Sequence, residues 1–393
     1  MSKRHDPLAN YKERADKLRR KGDIKKAIVT LENGLKVNRH SAELHYLIAR
    51  LYKEDKEDGK AAEHYQLAID AEAEYVPALL ELGQMHLKKG SKNKALTMIT
   101  AAYEKSPNLA ATNAAYASVL HQHGHLTEAI EHHRTALKMQ AGAPSQDKDI
   151  QLRDDFNQPE TEKLMWDTLA RLAEGGVHAF AFYGTLLGVV REGGLLPFDK
   201  DLDFGLPYSE MKRADKIMKR NGWVSANQAT PFFNPVAYYH TDKKATVDLF
   251  GMTVEKDGTA ISGFWMPGIP KEWNQISEYA PVELEKIESP EGERVWHAKD
   301  PEALLETIYG PEWKIPDGYF DTVIAAKNLR GFSPITQCFA LPRIYSNIEK
   351  GNIKKAAALL SATLKGMPGD ELLLDIKRNL LTHDDAKLFL EGA

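Results

Sequence analysis

Small apolar residues recur every 34 positions through the first 140 residues: Ala15, Ala49, Gly83 and Ala117, then Ala27, Ala61, Ala95 and Ala129, then Gly34, Ala68, Ala102 and Ala136. Larger side chains keep the same period at Leu31, Tyr65, Ile99 and His133. Small residues let paired helices approach closely, so the pattern predicts eight helices in four hairpins, with Gly22, Gly90 and Gly124 at the turns. The periodicity stops at residues 141–158, whose Gly, Pro, Ser and charge content reads as a linker. A helix over Pro159–Ala173 follows, with Met165, Leu169 and Leu172 on one face and Gly175-Gly176 at its end. A strand over Val177–Tyr183, a short helix over Leu186–Arg191 and a strand over Leu202–Leu206 come next. Asp248 lies on a later strand with Leu249 and Phe250, and Phe232–Gly292 reads as short strands and aromatic-rich loops. After about residue 335 helical spacing returns, and 350–368 echoes 21–39, with Gly351 on Gly22, Ala356 on Ala27 and Leu360 on Leu31.

The 34-residue period resembles the tetratricopeptide repeat, whose hairpins stack into a solenoid with a concave, partner-binding face. The expected class is α+β and multidomain: a solenoid over 1–140, a linker over 141–158, an α/β core over 159–334 and a repeat-like helical segment over 335–393. That last hairpin either caps the core or packs against the solenoid. Deleting residues 1–140 is expected to leave a soluble core.

The chemistry concentrates in Asp199-Lys200-Asp201-Leu202-Asp203. On an extended strand the three aspartates share a face and Leu202 and Phe204 point the other way. Three neighbouring carboxylates repel one another, and a divalent cation relieves that repulsion; oxygen ligands suit Mg²⁺ or Mn²⁺. The competing reading is an acidic surface turn. Gly184-Thr185 upstream lets a phosphate approach the backbone at a helix N-terminus, with Thr185 either meeting the phosphate or capping the helix.

This arrangement resembles the nucleotidyltransferase fold, and more specifically the LicD/fukutin family of phosphotransferases. The matching residues are Tyr183-Gly184-Thr185-Leu186-Leu187-Gly188, Arg191, Leu196-Pro197-Phe198, Asp199 through Asp203, Val247-Asp248-Leu249-Phe250, and Leu305 to Pro316. They span roughly Pro159–Gly331. The resemblance implies that Asp201, Asp203 and Asp248 are catalytic and hold Mg²⁺ or Mn²⁺, with Asp199 a fourth ligand or a hydrogen-bond partner of one. It further implies a CDP-linked donor, such as CDP-choline, CDP-ribitol or CDP-glycerol, and a glycan hydroxyl as acceptor. CMP would leave, and a cell-surface polysaccharide would gain a phosphodiester. Gly184, Thr185, Arg191 and Lys244 would hold the donor phosphates. Lys200 departs from the family, where another aspartate is common. Two alternatives stand beside this: nucleotidyl transfer from an NTP, and a repeat scaffold around an inactive core.

Composition narrows the picture further. The 393 residues carry a formal charge of −4, which offers no support for nucleic-acid binding. A single cysteine, Cys338, rules out an intramolecular disulfide and the zinc-binding insertion of some relatives. The polar N-terminus lacks a secretory h-region and no long apolar run occurs, so the expected place is the cytoplasm, including the inner membrane face. The histidines between His121 and His133 read as a solvated repeat surface rather than a metal site. Trp265 and Phe264 are candidates for stacking on a base or sugar. No nucleophile elbow and no P-loop lysine is present.

Overall fold

A computed structural model of the chain describes residues 7–140, 158–197, 201–226 and 230–390. It divides into two compact units, 1–119 and 120–393. The first holds the helical hairpins α1 (Ala9–Arg20) with α2 (Ile24–Val37), α3 (Ala42–Glu54) with α4 (Asp58–Ala71), and α5 (Val76–Lys88) with α6 (Lys92–Lys105), then most of α7 (Ala110–Gln122). The 34-residue positions are its core: Ala27, Ala61 and Ala95 are fully buried, as are Ile99, Tyr65 and Leu31.

The turns within the hairpins need left-handed backbone. Gly22, Gly90 and Gly124 supply it at φ +80°, +75° and +82°. The equivalent position of the second hairpin is Lys56, at φ +61°. A side chain there costs about 1–2 kcal/mol, while glycine gives back about 0.5–1 kcal/mol of unfolded-chain entropy. Lys56→Gly is therefore expected to stabilise this unit by about 0.5–1 kcal/mol, read as a higher urea midpoint at unchanged slope.

The second unit opens with α8 (Leu126–Gln140), the last helix of the fourth repeat, followed by α9 (Gln158–Glu174). Its sheet is built from β1 (Phe180–Ala181), β2 (Leu202–Pro207), β3 (Trp223–Ser225), β4 (Val236–His240), β5 (Thr246–Val254), β6 (Ala260–Phe264) and β7 (Gln275–Tyr279). The order is β1-β2-β5-β4-β3, with β6 and β7 continuing from the far end of β5; β2 and β5 are parallel and the other pairs antiparallel. Helix α10 (Tyr183–Arg191) follows β1, and α11 (Met211–Arg220) follows β2. A hairpin of β8 (Leu284–Glu288) and β9 (Arg294–Ala298) leads into α12 (Pro301–Tyr309) and α13 (Thr322–Ala325).

Two apolar cores sandwich the sheet. Leu202, Phe204, Leu206, Val247 and Leu249 meet α9 and α11 on one face. Phe180, Phe182, Tyr183 and Phe250 meet α10, α12 and Trp313 on the other.

Four helices close the chain: α14 (Pro334–Lys350), α15 (Ile353–Gly366), α16 (Glu371–Leu380) and α17 (Asp384–Leu390). Helix α14 packs along α8. The Arg134 guanidinium donates to both carboxylate oxygens of Asp370, at 2.5 and 3.2 Å, and the Asp370 carboxylate also caps α16 by accepting from Leu373 N. Of the two places open to the C-terminal hairpin, α14 thus takes the repeat one, against α8. The core sits between consecutive repeat helices rather than after a finished solenoid, and the compact units part at Val119–Leu120 rather than at residue 140.

The histidines depart from expectation. His133 occupies the repeat position of Leu31, Tyr65 and Ile99 and is buried, as is His121, so neither belongs to a solvated surface. Burial pushes the His133 imidazole down to about 3, which keeps it neutral at physiological pH. His121 lies edge-on to Phe232 and Phe339.

Candidate functional site

Strand β2 begins at Leu202, so the extended backbone does not run back across the whole triplet. Asp201 is exposed just ahead of the strand, Asp203 is its second residue, and Asp199 and Lys200 lie outside the described residues. Asp203 pairs in register with Asp248 on the parallel neighbour β5. In-register residues on adjacent strands share a face, and the flanking Leu202, Phe204, Val247 and Leu249 enter the core on the opposite one. The alternation of leucine, phenylalanine and valine with aspartate thus delivers two carboxylates side by side.

Helix α10 closes over the same place. Phe182, its N-cap, donates its N–H to Asp203 O at 2.8 Å, while Asp203 N–H donates to the Thr185 hydroxyl at 2.8 Å. These reciprocal bonds fix the first turn of α10 against the strand that carries Asp203. Tyr183 takes φ +39° there, a left-handed conformation uncommon for a bulky residue. Its buried ring packs on Phe182 and Phe250, and its hydroxyl meets that of Tyr279 at 2.8 Å. Gly184 and Thr185 complete the turn, with Thr185 fully buried. At Gly188 a Cβ would stand 2.5 Å from Gly194 O and 2.9 Å from Leu196 N. Only glycine there lets the segment leading to the aspartates fold back over the helix.

Electrostatics single out Asp248. Burial, and then the nearby Asp201 carboxylate, push its carboxyl up to about 7. Among the described residues no three His, Cys, Asp or Glu side chains converge into a ready-made metal cage. The donors that Asp201, Asp203 and Asp248 offer are all carboxylate oxygens, and like charges press on one of them. That set fits a hard divalent cation such as Mg²⁺ or Mn²⁺.

The other residues expected to bind the donor fall in different places. The Arg191 side chain is largely buried, with its guanidinium donating to Glu192 Oε1 at 2.8 Å and to Trp313 O at 3.3 Å. It ties the end of α10 to the Leu305–Pro316 segment. Lys244 is exposed in the turn before β5, at φ +51°, four residues ahead of Asp248. Trp265 packs with Tyr208 and Phe233 and lines a cavity of about 880 Å³ that also takes in Val254. The Trp265 backbone pairs with Asn234, whose amide bonds Gly251 on β5, three residues beyond Asp248. Phe264 packs between Phe232, Phe250 and Phe339.

One neighbour escaped the motif reading. On β4, Ala237 pairs with Asp248 and Tyr239 with Thr246, so Tyr239 shares the carboxylate face. The residue is 46% exposed, unusual for an aromatic on an interior strand. The alternation across Val236–His240 carried the signal.

Residues 176–288 match the family described as LicD/FKTN/FKRP, nucleotidyltransferase domain, and residues 12–77 match a tetratricopeptide repeat family. A protein of Rickettsia prowazekii (strain Madrid E) described as "Uncharacterized protein RP689" is 28% identical over 159 residues, which cover 38% of this chain and 54% of that protein. The chain thus spans about half the length of this curated relative. Among solved structures, MamA from Desulfovibrio magneticus RS-1 is 16% identical, with 34% of this chain and 76% of that one covered and a TM-score of 0.31. Pseudomonas aeruginosa PilF is 19% identical, with 42% and 69% covered and a TM-score of 0.31. Among the described residues no helix is long and apolar enough to cross a membrane. Residues 176–288 form a LicD/FKTN/FKRP nucleotidyltransferase domain, and the chain joins that domain to tetratricopeptide repeats.

Proposed function

We propose that the chain transfers a phospho-alcohol from a CDP-linked donor to a glycan hydroxyl in cell-surface polysaccharide biosynthesis. The observation that carries this reading is the in-register pair Asp203 and Asp248, with the N-terminus of α10 clamped beside it. The free N–H groups of that helix turn attract the donor diphosphate, with the backbone at Gly184 open to it and Thr185 holding the strand in place. Asp201, Asp203 and Asp248 hold Mg²⁺ or Mn²⁺, and Asp199 is a candidate fourth ligand. The ion, when bound, neutralises charge on the diphosphate. Lys244 adds positive charge at the rim; Arg191 acts through the position of α10 rather than by touching phosphate.

The acceptor hydroxyl oxygen forms a bond to the phosphorus that bears the alcohol. The bond from that phosphorus to the bridging oxygen breaks, and CMP leaves with the electron pair. The hydroxyl proton passes to the Asp248 carboxylate as the acceptor oxygen attacks. The repeats hold a protein partner on their concave face, as repeat solenoids of this kind do.

Incubating the pure protein and Mg²⁺ with CDP-choline, CDP-ribitol, CDP-glycerol and the four NTPs, each with a glycan acceptor, tests the reading. The expected outcome is CMP release and an acceptor heavier by a phospho-alcohol in mass spectrometry. Pyrophosphate release with a nucleoside monophosphate on the acceptor would replace it with nucleotidyl transfer.

A further inference from the structure

Helix α11 has the sequence MKRADKIMKR, with five cations in ten residues. Ala214 and Met218 are buried, and Met211 and Ile217 pack against the same core. At 100° per residue, Lys212, Arg213, Lys216, Lys219 and Arg220 fall on the opposite side, within about a third of the helix circumference. All five are exposed. Asp215 is the one carboxylate on the helix; it pairs with Lys219 at 2.8 Å and accepts from the Tyr238 hydroxyl. Arg213 donates to Gly176 O, which leaves its charge uncompensated. Lys212, Lys216 and Arg220 have no carboxylate partner among the described residues.

The stripe extends beyond the helix. Thr241 N–H donates to Gly222 O, which draws the turn between β4 and β5 against the end of α11. That turn carries Lys243 and Lys244, both exposed, with Asp242 beside them. It leads within four residues to Asp248, so the cations border the end of the sheet where the carboxylates lie. The whole chain is formally −4, so this concentration of positive charge runs against the overall balance.

We propose that this face docks the protein on an anionic lipid bilayer. Five of its cations stand on one helix, all of them exposed, and none of its residues lines the 880 Å³ cavity. Cations spread along one exposed helix face match a broad plane of phosphate headgroups, which can meet all of them at once. The apolar side of α11 is already spent on the core, so the contact is electrostatic and the helix does not insert. Docking is independent of the transfer reaction and needs neither donor nor metal.

The test is co-sedimentation of the full chain with phosphatidylcholine vesicles containing 0, 10 or 30% phosphatidylglycerol. Binding is expected to rise with phosphatidylglycerol and to fall as NaCl increases, because the contact is screened. Each cation near such a surface strengthens binding about fivefold, so Lys212→Glu/Lys216→Glu/Arg220→Glu should weaken partition by about a hundredfold or more. These side chains are exposed, and an unchanged thermal melt checks the fold. Lys25→Glu/Lys36→Glu/Lys94→Glu, three exposed cations of the repeats, should lose far less. Three results overturn the proposal: no salt-sensitive binding to anionic vesicles by the unaltered chain, equal loss in both triple variants, or retention on heparin without vesicle binding, which would make the face a polyanion site.

Discussion

Asp203→Asn and Asp248→Asn are each expected to abolish transfer, by about a thousandfold or more, while the metal-free protein stays folded. Each removes one of two carboxylates that stand in register, and an amide carries no charge to hold a divalent ion. Asp248 adds a measurable pH signature. Its carboxyl sits near 7 in the folded chain, against about 3.9 in an unfolded one. Between those values the folded state binds the extra proton, so this group stabilises at low pH and that contribution is lost as pH rises from about 4 to 7. The loss reaches at most about 4 kcal/mol. Asp248→Asn should therefore match the unaltered chain at pH 4 and unfold at a higher temperature at pH 8, measured without divalent ions. Asp201→Asn should flatten the same dependence in part, because its charge is one of the two causes. Near-normal turnover in either the Asp203 or the Asp248 variant would remove the carboxylates from the reaction.

That pair was legible because strand alternation is local. Leucine, phenylalanine and valine around Asp203 and Asp248 declare which face is core, and two strands declared in the same way present their aspartates together. Arg191 shows the limit of spacing: its distance from the glycine turn suited a phosphate, yet its guanidinium reaches the adjacent Glu192 and Trp313 O, and the second contact depends on a segment more than 100 residues away. His133 was misread for a different reason. The 34-residue period already placed it with Leu31, Tyr65 and Ile99, but a histidine-rich composition pointed outward, and the period was the stronger signal. The pairing of α8 with α14 could not come from neighbouring sequence at all, since the whole core intervenes. Its trace was the echo of 21–39 in 350–368, which marks those residues as one more repeat and hence in need of a helix to stack on.

That pairing reverses the expected outcome of a truncation. Residues 141–393, taken alone, should aggregate, whereas 120–393 should be soluble and monodisperse. Cutting at 140 removes α8, in which Leu126, Ala129, His133, Ala136 and Leu137 are buried. It uncovers the side of α14 that packs on α8, and it strips Asp370 of Arg134. A stacked repeat cannot bury its apolar face without its neighbour. Full burial of a single leucine is worth about 1.5–3 kcal/mol, so losing Leu126 and Leu137 alone approaches the few kcal/mol by which domains are stable. Asp370 would also keep its place at the start of α16 without its cation. Starting at residue 120 retains all of these contacts and follows the division between the compact units. Size-exclusion chromatography of the two fragments decides the matter, with circular dichroism melts of whatever remains soluble. A monodisperse, cooperatively melting 141–393 fragment would show that the core and its C-terminal helices stand without α8.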